Sequence, residues 1–311
     1  MLVPFASCAA PEAAQALAGL QLPRLQRLLR RLGVEATEAG DPRSLSAPHE
    51  RVLARACRLE VVDGLLPFAA LQARQEGRGG GDEGWAWITP VHWQVGRDHI
   101  AMAHPQDLQL DADDSRALLE AMQPWFAEDG IALAYDAPLR WLARGDLFRS
   151  LPTASLDRVT GRTIHQDWMP AGAAGAPLRR LQQEMQMLLY TLPLNEARQR
   201  GGLLPVNSFW ASGTGALPPG HPGTAGGLQV TPYLRDAALR GDWRAWAAAW
   251  QQLDEKVGAR LLGELDKGRS VRLTLCGEAG ARTWSSTAAT AWQRVAGWFG
   301  APAMTRLLEA L

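Results

Sequence analysis

Two different spacings of apolar residues alternate along this chain, and together they restrict it to a fold built from both helices and strands. In PRLQRLLRRLG, Leu25, Leu28, Leu29 and Leu32 recur at i, i+3, i+4 and i+7, the spacing of one helix face, with Gly33 as a stop. In SVRLTLCG, Val271, Leu273 and Leu275 alternate with Arg272 and Thr274, the spacing of a half-buried strand. Such passages interleave from end to end without an internal repeat. The expectation is an α/β protein: a mixed sheet flanked by helices.

Leu2–Phe5 reads as a short opening strand, followed by a helix from about Pro11. In SLSAPHERVLARACRL, Ser46 suits an N-cap, Pro48 the first turn, and Glu50 the positive end of the helix dipole. Asp114 is the expected cap of a helix through Leu118, Leu119 and Met122. Leu178, Leu181, Met185 and Leu188 form another stripe, which Pro193 is expected to end. After Asp242, Trp243, Trp246, Trp250, Leu253 and Val257 share a helix face. Two last helices are expected in WSSTAATAWQRVAGWFG and after Pro302. Hairpins are expected around GRD within Trp85–Leu110 and around Asp136-Ala137-Pro138. RQEGRGGGDEG, 74 to 84, is a flexible loop or a boundary, dividing an N-terminal α-rich segment, 1–76, from an α/β domain, 85–311. A single continuous domain is the alternative.

Composition excludes some classes of function. Lys plus Arg and Asp plus Glu both number 32, so no bulk field draws the chain to nucleic acid or an anionic membrane. The face carrying Arg24, Arg27, Arg30 and Arg31 reads as solvated surface. Cys8, Cys57 and Cys276 form no CxxC pair, which suits a reducing cytoplasm. No secretion signal stands at the start, and no apolar run reaches the ~18–20 residues a membrane span needs. The expected localisation is cytoplasmic. Most of the 13 tryptophans read as core fillers.

The sequence holds no GxSxG elbow, P-loop, GxGxxG or HExxH. No catalytic residue, metal ligand or cofactor is therefore assigned. His99 and His104 with Asp98, and His165 with Asp167, carry the residue types of metal or acid–base chemistry, but strand ends and turns account for them more simply. The stretch that invites a ligand is LLPVNSFWASGTG, 203 to 215. An apolar run contains Asn207 and closes on Ser212-Gly213-Thr214-Gly215, where close backbone N–H groups and hydroxyls can cradle an anion, with Arg198 and Arg200 upstream. The alternative is a strand ending in a glycine turn that Asn207 holds closed. The candidate ligand residues are Asn195, Arg198, Asn207, Trp210, Ser212, Gly213, Thr214 and Gly215.

SLSAPHERVLARA, ITPVHW, LQQEMQMLLYTLPLNEARQRGGLLPVNSFWASGTG and RLTLCGEAGARTW together resemble a bacterial family called "regulatory protein, RpfE type", often labelled cofactor-independent phosphoglycerate mutase. The likeness runs over most of the chain. A local stretch also resembles archaeal-type phosphoglycerate mutases, which implies an alkaline-phosphatase-like fold. Those mutases use a serine nucleophile beside two metal ions held by Asp and His. Asp113, Asp114, His99 and His104 do not reproduce those motifs. What the resemblance implies is a non-catalytic regulatory or binding protein that takes a phosphorylated small molecule or a protein partner. A metal-dependent phosphoryl-transfer enzyme is the alternative.

Overall fold

The computed structural model describes residues 1–79, 82–224, 227–288, 307–308 and 311. The chain gathers into two compact units, one from Met1–Pro42 with Gly227–Leu311 and one from Arg43–Gly226. The glycine-rich stretch 77–84 lies inside the second unit. Among the described residues, no helix is long and apolar enough to cross a membrane.

The first unit opens with β1 (Leu2–Val3), α1 (Pro11–Ala18), α2 (Pro23–Arg31) and β2 (Gly33–Glu38). The second follows with α3 (Pro48–Ala56), α4 (Phe68–Gln75), β3 (Trp85–Val91), β4 (Trp93–Val95), β5 (Ile100–Met102), α5 (Ala112–Glu128), β6 (Ala132–Ala137) and β7 (Arg140–Arg144). It continues through α6 (Leu156–Val159), α7 (Gly172–Tyr190), α8 (Pro193–Arg200) and β8 (Ser208–Gly215). The chain then completes the first unit with α9 (Arg235–Leu239), α10 (Trp243–Leu253), α11 (Ala259–Asp266), β9 (Arg272–Cys276) and β10 (Ala281–Ser285).

In the first unit, a mixed sheet runs in the order β1-β9-β10-β2, with β1 parallel to β9 and the other pairs antiparallel. The leucine stripe of α2 and the tryptophan stripe of α10 supply its core. Leu25, Leu28, Trp246, Trp250 and Leu253 have no exposed surface, while Arg24, Arg27 and Arg30 face solvent. Asp242 caps α10 by accepting from the Ala245 N–H at 2.9 Å. Gly33 does stand past the end of α2, but it also opens β2. That strand is mostly exposed and charged, so it leaves no alternating apolar signal.

In the second unit, β6-β7-β3-β8 form an antiparallel sheet, with β4 and β5 as a separate hairpin across Gly96–His99. Both expected hairpins form. Leu118, Met122, Phe126, Leu178, Leu181, Met185 and Phe209 bring α5 and α7 onto the sheet in one core cluster. Trp141 and Trp210 are fully buried, as core fillers should be.

Several local expectations change. Ser46 does not cap α3: its hydroxyl accepts from the Gly64 N–H, and the Glu50 carboxylate reaches back to the Ala47 N–H instead. Asp111, not Asp114, caps α5 by accepting from the N–H groups of Asp113 and Asp114. Pro193 lies past the end of α7, but it starts α8, as a proline at the first helical position can. Trp284 and Ser285 belong to β10, and the helices expected after them fall largely outside the described residues.

Candidate functional site

Within the stretch 203–215, Ser208–Gly215 forms a strand, and its glycines mark a bulge in that strand. Strand β8 runs through Gly215, and the pairing with β3 slips between Trp85↔Gly215 and Trp87↔Ser212, inserting one extra residue. Gly213 has φ +63°, and a Cβ there would fall 2.7 Å from the Trp87 ring. Glycine is therefore required twice over, by backbone conformation and by close approach. The void beside Gly213 measures 10 Å³, enough for about one water and too small for a phosphate group.

The other residues around the bulge satisfy the protein's own backbone. The Thr214 hydroxyl donates toward the carbonyls of Leu151 and Gly64, at 2.8 and 3.1 Å, and shares a hydrogen bond of 3.0 Å with the Thr153 hydroxyl. The Trp210 indole donates to the Ala154 carbonyl at 2.9 Å. Ser212 is buried beside them.

Asn195 and Arg198 stand one turn apart on the buried side of α8. The Asn195 amide donates to the carbonyls of Leu189 and Val206 and accepts from the Val206 N–H, which ties α7 to the segment entering β8. The Arg198 guanidinium pairs with Asp114 at 2.8 Å and donates to the carbonyls of Leu204 and Leu108. Its hydrogen bonds run inward, and its side chain is 2% exposed. Arg200 is exposed on the same helix. The arginine expected to complete an anion site is instead a staple joining α8 to the first turn of α5.

Asn207 has a different role. Its side-chain carbonyl accepts from the Trp93 N–H at 2.7 Å, and its amide donates to the Trp93 carbonyl at 2.8 Å. One side chain thus pairs with both backbone groups of a strand residue, as a neighbouring strand would. This pairing sits at the floor of a groove of 640 Å³ lined from β4, α7 and α8. Trp93, Gln186, Tyr190, Glu196, Gln199 and Asn207 give it its character, and Asn195 contributes to the wall. His92 hydrogen-bonds through Nδ1 to the Pro205 carbonyl, an acceptor, so the ring proton sits on Nδ1.

The backbone bonds flanking the β4–β5 ladder fall at His92 and Gly96, whose partners are Ala103 and His99. Alternation then directs the backbone N–H and C=O of Trp93 and Val95 to the opposite edge. Asn207 covers Trp93. Val95, 72% exposed, continues that edge along the groove. The groove lining includes no Lys or Arg, and Glu196 is its charged residue.

A second polar concentration lies deeper. The Glu50 carboxylate accepts from Ser155 Oγ at 2.7 Å and from the Ala47 N–H at 3.1 Å, joining the starts of α3 and α6. Desolvation raises its pKa above the ordinary glutamate value, against the opposing pull of His49. His49 itself pairs with Asp157 at 3.1 Å. Among the described residues, no three His, Cys, Asp or Glu side chains come together as a metal cage.

The fold thus defines a mixed α/β protein. No family model and no curated protein matches the chain. Several solved structures are distantly similar, among them the following two. The cofactor-independent phosphoglycerate mutase from Thermoplasma acidophilum DSM 1728 is 12% identical, covering 91% of this chain and 88% of its own, with TM-score 0.38. The PH0037 protein from Pyrococcus horikoshii is 11% identical, covering 91% and 86%, with TM-score 0.43.

Proposed function

We propose that this is a binding protein that holds an extended segment of a partner protein in the groove between β4, α7 and α8. The observation that carries this reading is the edge of β4. Asn207 already imitates one pairing residue there, and the backbone of Val95 continues the same edge toward the groove. An added strand supplies the missing backbone partners, and side-chain pockets supply selectivity. Gln186, Gln199 and Tyr190 offer amide and phenol contacts, and Glu196 favours a basic side chain in the guest. A phosphorylated ligand fits this lining less well, because a phosphate needs cations or free N–H groups and Arg198 is already engaged. Asn195 and Asn207 keep their place as groove residues. Arg198, Trp210, Ser212, Gly213, Thr214 and Gly215 become the scaffold behind it.

The test is selection of random displayed peptides on the full chain, followed by affinity measurement on Tyr190→Ala and Glu196→Lys. Extended sequences with a basic residue should emerge, and Glu196→Lys should weaken them about tenfold, equivalent to about 1.4 kcal/mol. The absence of any recurring sequence, or affinities untouched by both substitutions, ends this reading.

A further inference from the structure

We infer that Ser44 is a phosphorylation site and that Arg51 and Arg158 receive the phosphate it acquires. Ser44 stands in an irregular loop leading into α3, and the residues just before it, 39–43, are all exposed. Its half-buried hydroxyl accepts from two guanidinium groups at once, from Arg158 Nη2 at 2.7 Å and from Arg51 Nη1 at 3.0 Å. Its own proton goes to the Ser46 carbonyl at 3.1 Å. That carbonyl also accepts from both arginines, at 3.1 Å from Arg158 and 2.8 Å from Arg51. The two cations come from different elements, Arg51 from α3 and Arg158 from α6, and both are already oriented on this one point of the loop.

Two positive groups held against one neutral oxygen make a place where negative charge is favoured. Their nitrogens are separated by less than the two hydrogen bonds combined, so mutual repulsion is built into the arrangement. Arg158 is 4% exposed, so water screens its charge little. A phosphoserine carries about −1.5 to −2 charge at neutral pH with three acceptor oxygens, and the fork of an arginine matches phosphate oxygens in pairs. The Asp63 carboxylate is engaged by the N–H groups of Leu45 and Ser46, at 3.0 and 2.8 Å. The phosphoryl donor is a nucleoside triphosphate carried by a separate serine kinase. Ser44 Oγ bonds to the γ-phosphorus, the bond from that phosphorus to the nucleoside diphosphate oxygen breaks, and the hydroxyl proton passes to the base of the kinase. The exposed, irregular approach over 39–43 gives the kinase a segment to hold. The product ties the loop to α3 and α6 through charged hydrogen bonds in place of neutral ones.

Peptide mapping by mass spectrometry of the full chain isolated from its native cells should find phosphate on Ser44. The full chain made with phosphoserine built in at position 44 should show, by ³¹P NMR, a second phosphate pKa about one unit below its ordinary value of about 6. Arg51→Gln and Arg158→Gln should each return that value toward about 6, and Arg51→Lys, which keeps the charge but loses the fork, should have a smaller effect. Circular dichroism of each variant separates a lost contact from a lost fold, and half-buried Arg51 provides the milder substitution. The proposal is overturned if Ser44 of the native chain carries no phosphate. It is equally overturned if the built-in phosphoserine titrates at its ordinary value, or if its lowered value is unmoved by both glutamine substitutions.

Discussion

Arg198 and His165 belong to the same compact unit, and each has an aspartate partner, yet their surroundings are opposite. Arg198 is sealed between α8 and the start of α5, with its donors on Asp114 and on main-chain carbonyls. His165 pairs with Asp167 at the rim of an open cleft and keeps one ring nitrogen unengaged. A polar group inside an apolar run is a strong hint of burial, and burial demands partners. Near the chain's own backbone those partners are carbonyls and amides, so the polar residue closes the fold. Capacity for a ligand appears where polar atoms are left over.

Removing Arg198 should have the largest effect. Arg198→Ala strands Asp114 and two buried carbonyls, so the chain should lose about 3 kcal/mol in urea denaturation, whereas Arg200→Ala on the exposed side should change stability by less than about 0.5 kcal/mol. Equal small effects would mean Arg198 is not a staple. Thr214→Val keeps the shape and deletes the hydroxyl, and should cost about 2 kcal/mol by the same measurement, because the Gly64 and Leu151 carbonyls lose a buried donor.

Glu50 gives a pH-dependent contrast. Its folded pKa lies above the unfolded one, so the folded state binds the extra proton between those two values. Stability from this group is therefore fully present below the unfolded value and is lost as pH rises through the folded one. Denaturation midpoints collected against pH should show that decline in the native chain and a flatter profile in Glu50→Gln. An unchanged profile would remove Glu50 from the account. The smallest effect belongs to the open cleft: His99→Ala with His165→Ala should move stability by less than about 0.5 kcal/mol.

Much of the fold was legible because periodicity reports burial directly. The stripes of α2, α7 and α10, the alternation of β9, and both hairpins followed from the side chains alone. Exposed β2 and the small-residue helix α4 had no comparable signal. The boundaries at Ser46, Asp114 and Pro193 moved because each depended on which neighbour reached the residue first. Ser46 met Gly64, and Asp114 met Arg198.

The candidate site divides along the same line. By itself the sequence marked Asn195, Arg198, Asn207 and 212–215 as polar or glycine positions set in apolar surroundings, open to a ligand cradle or a glycine turn. Local chemistry specifies residue type, because φ above zero and close backbone approach admit little else. The tertiary structure alone decided what those positions serve. It turned Gly213 and Gly215 into a strand bulge against Trp87 and Pro67, and Asn207 into a substitute strand for Trp93. It also set Ala101 across from Thr163, because pairing partners far apart in sequence are fixed by sheet register and not by spacing along the chain.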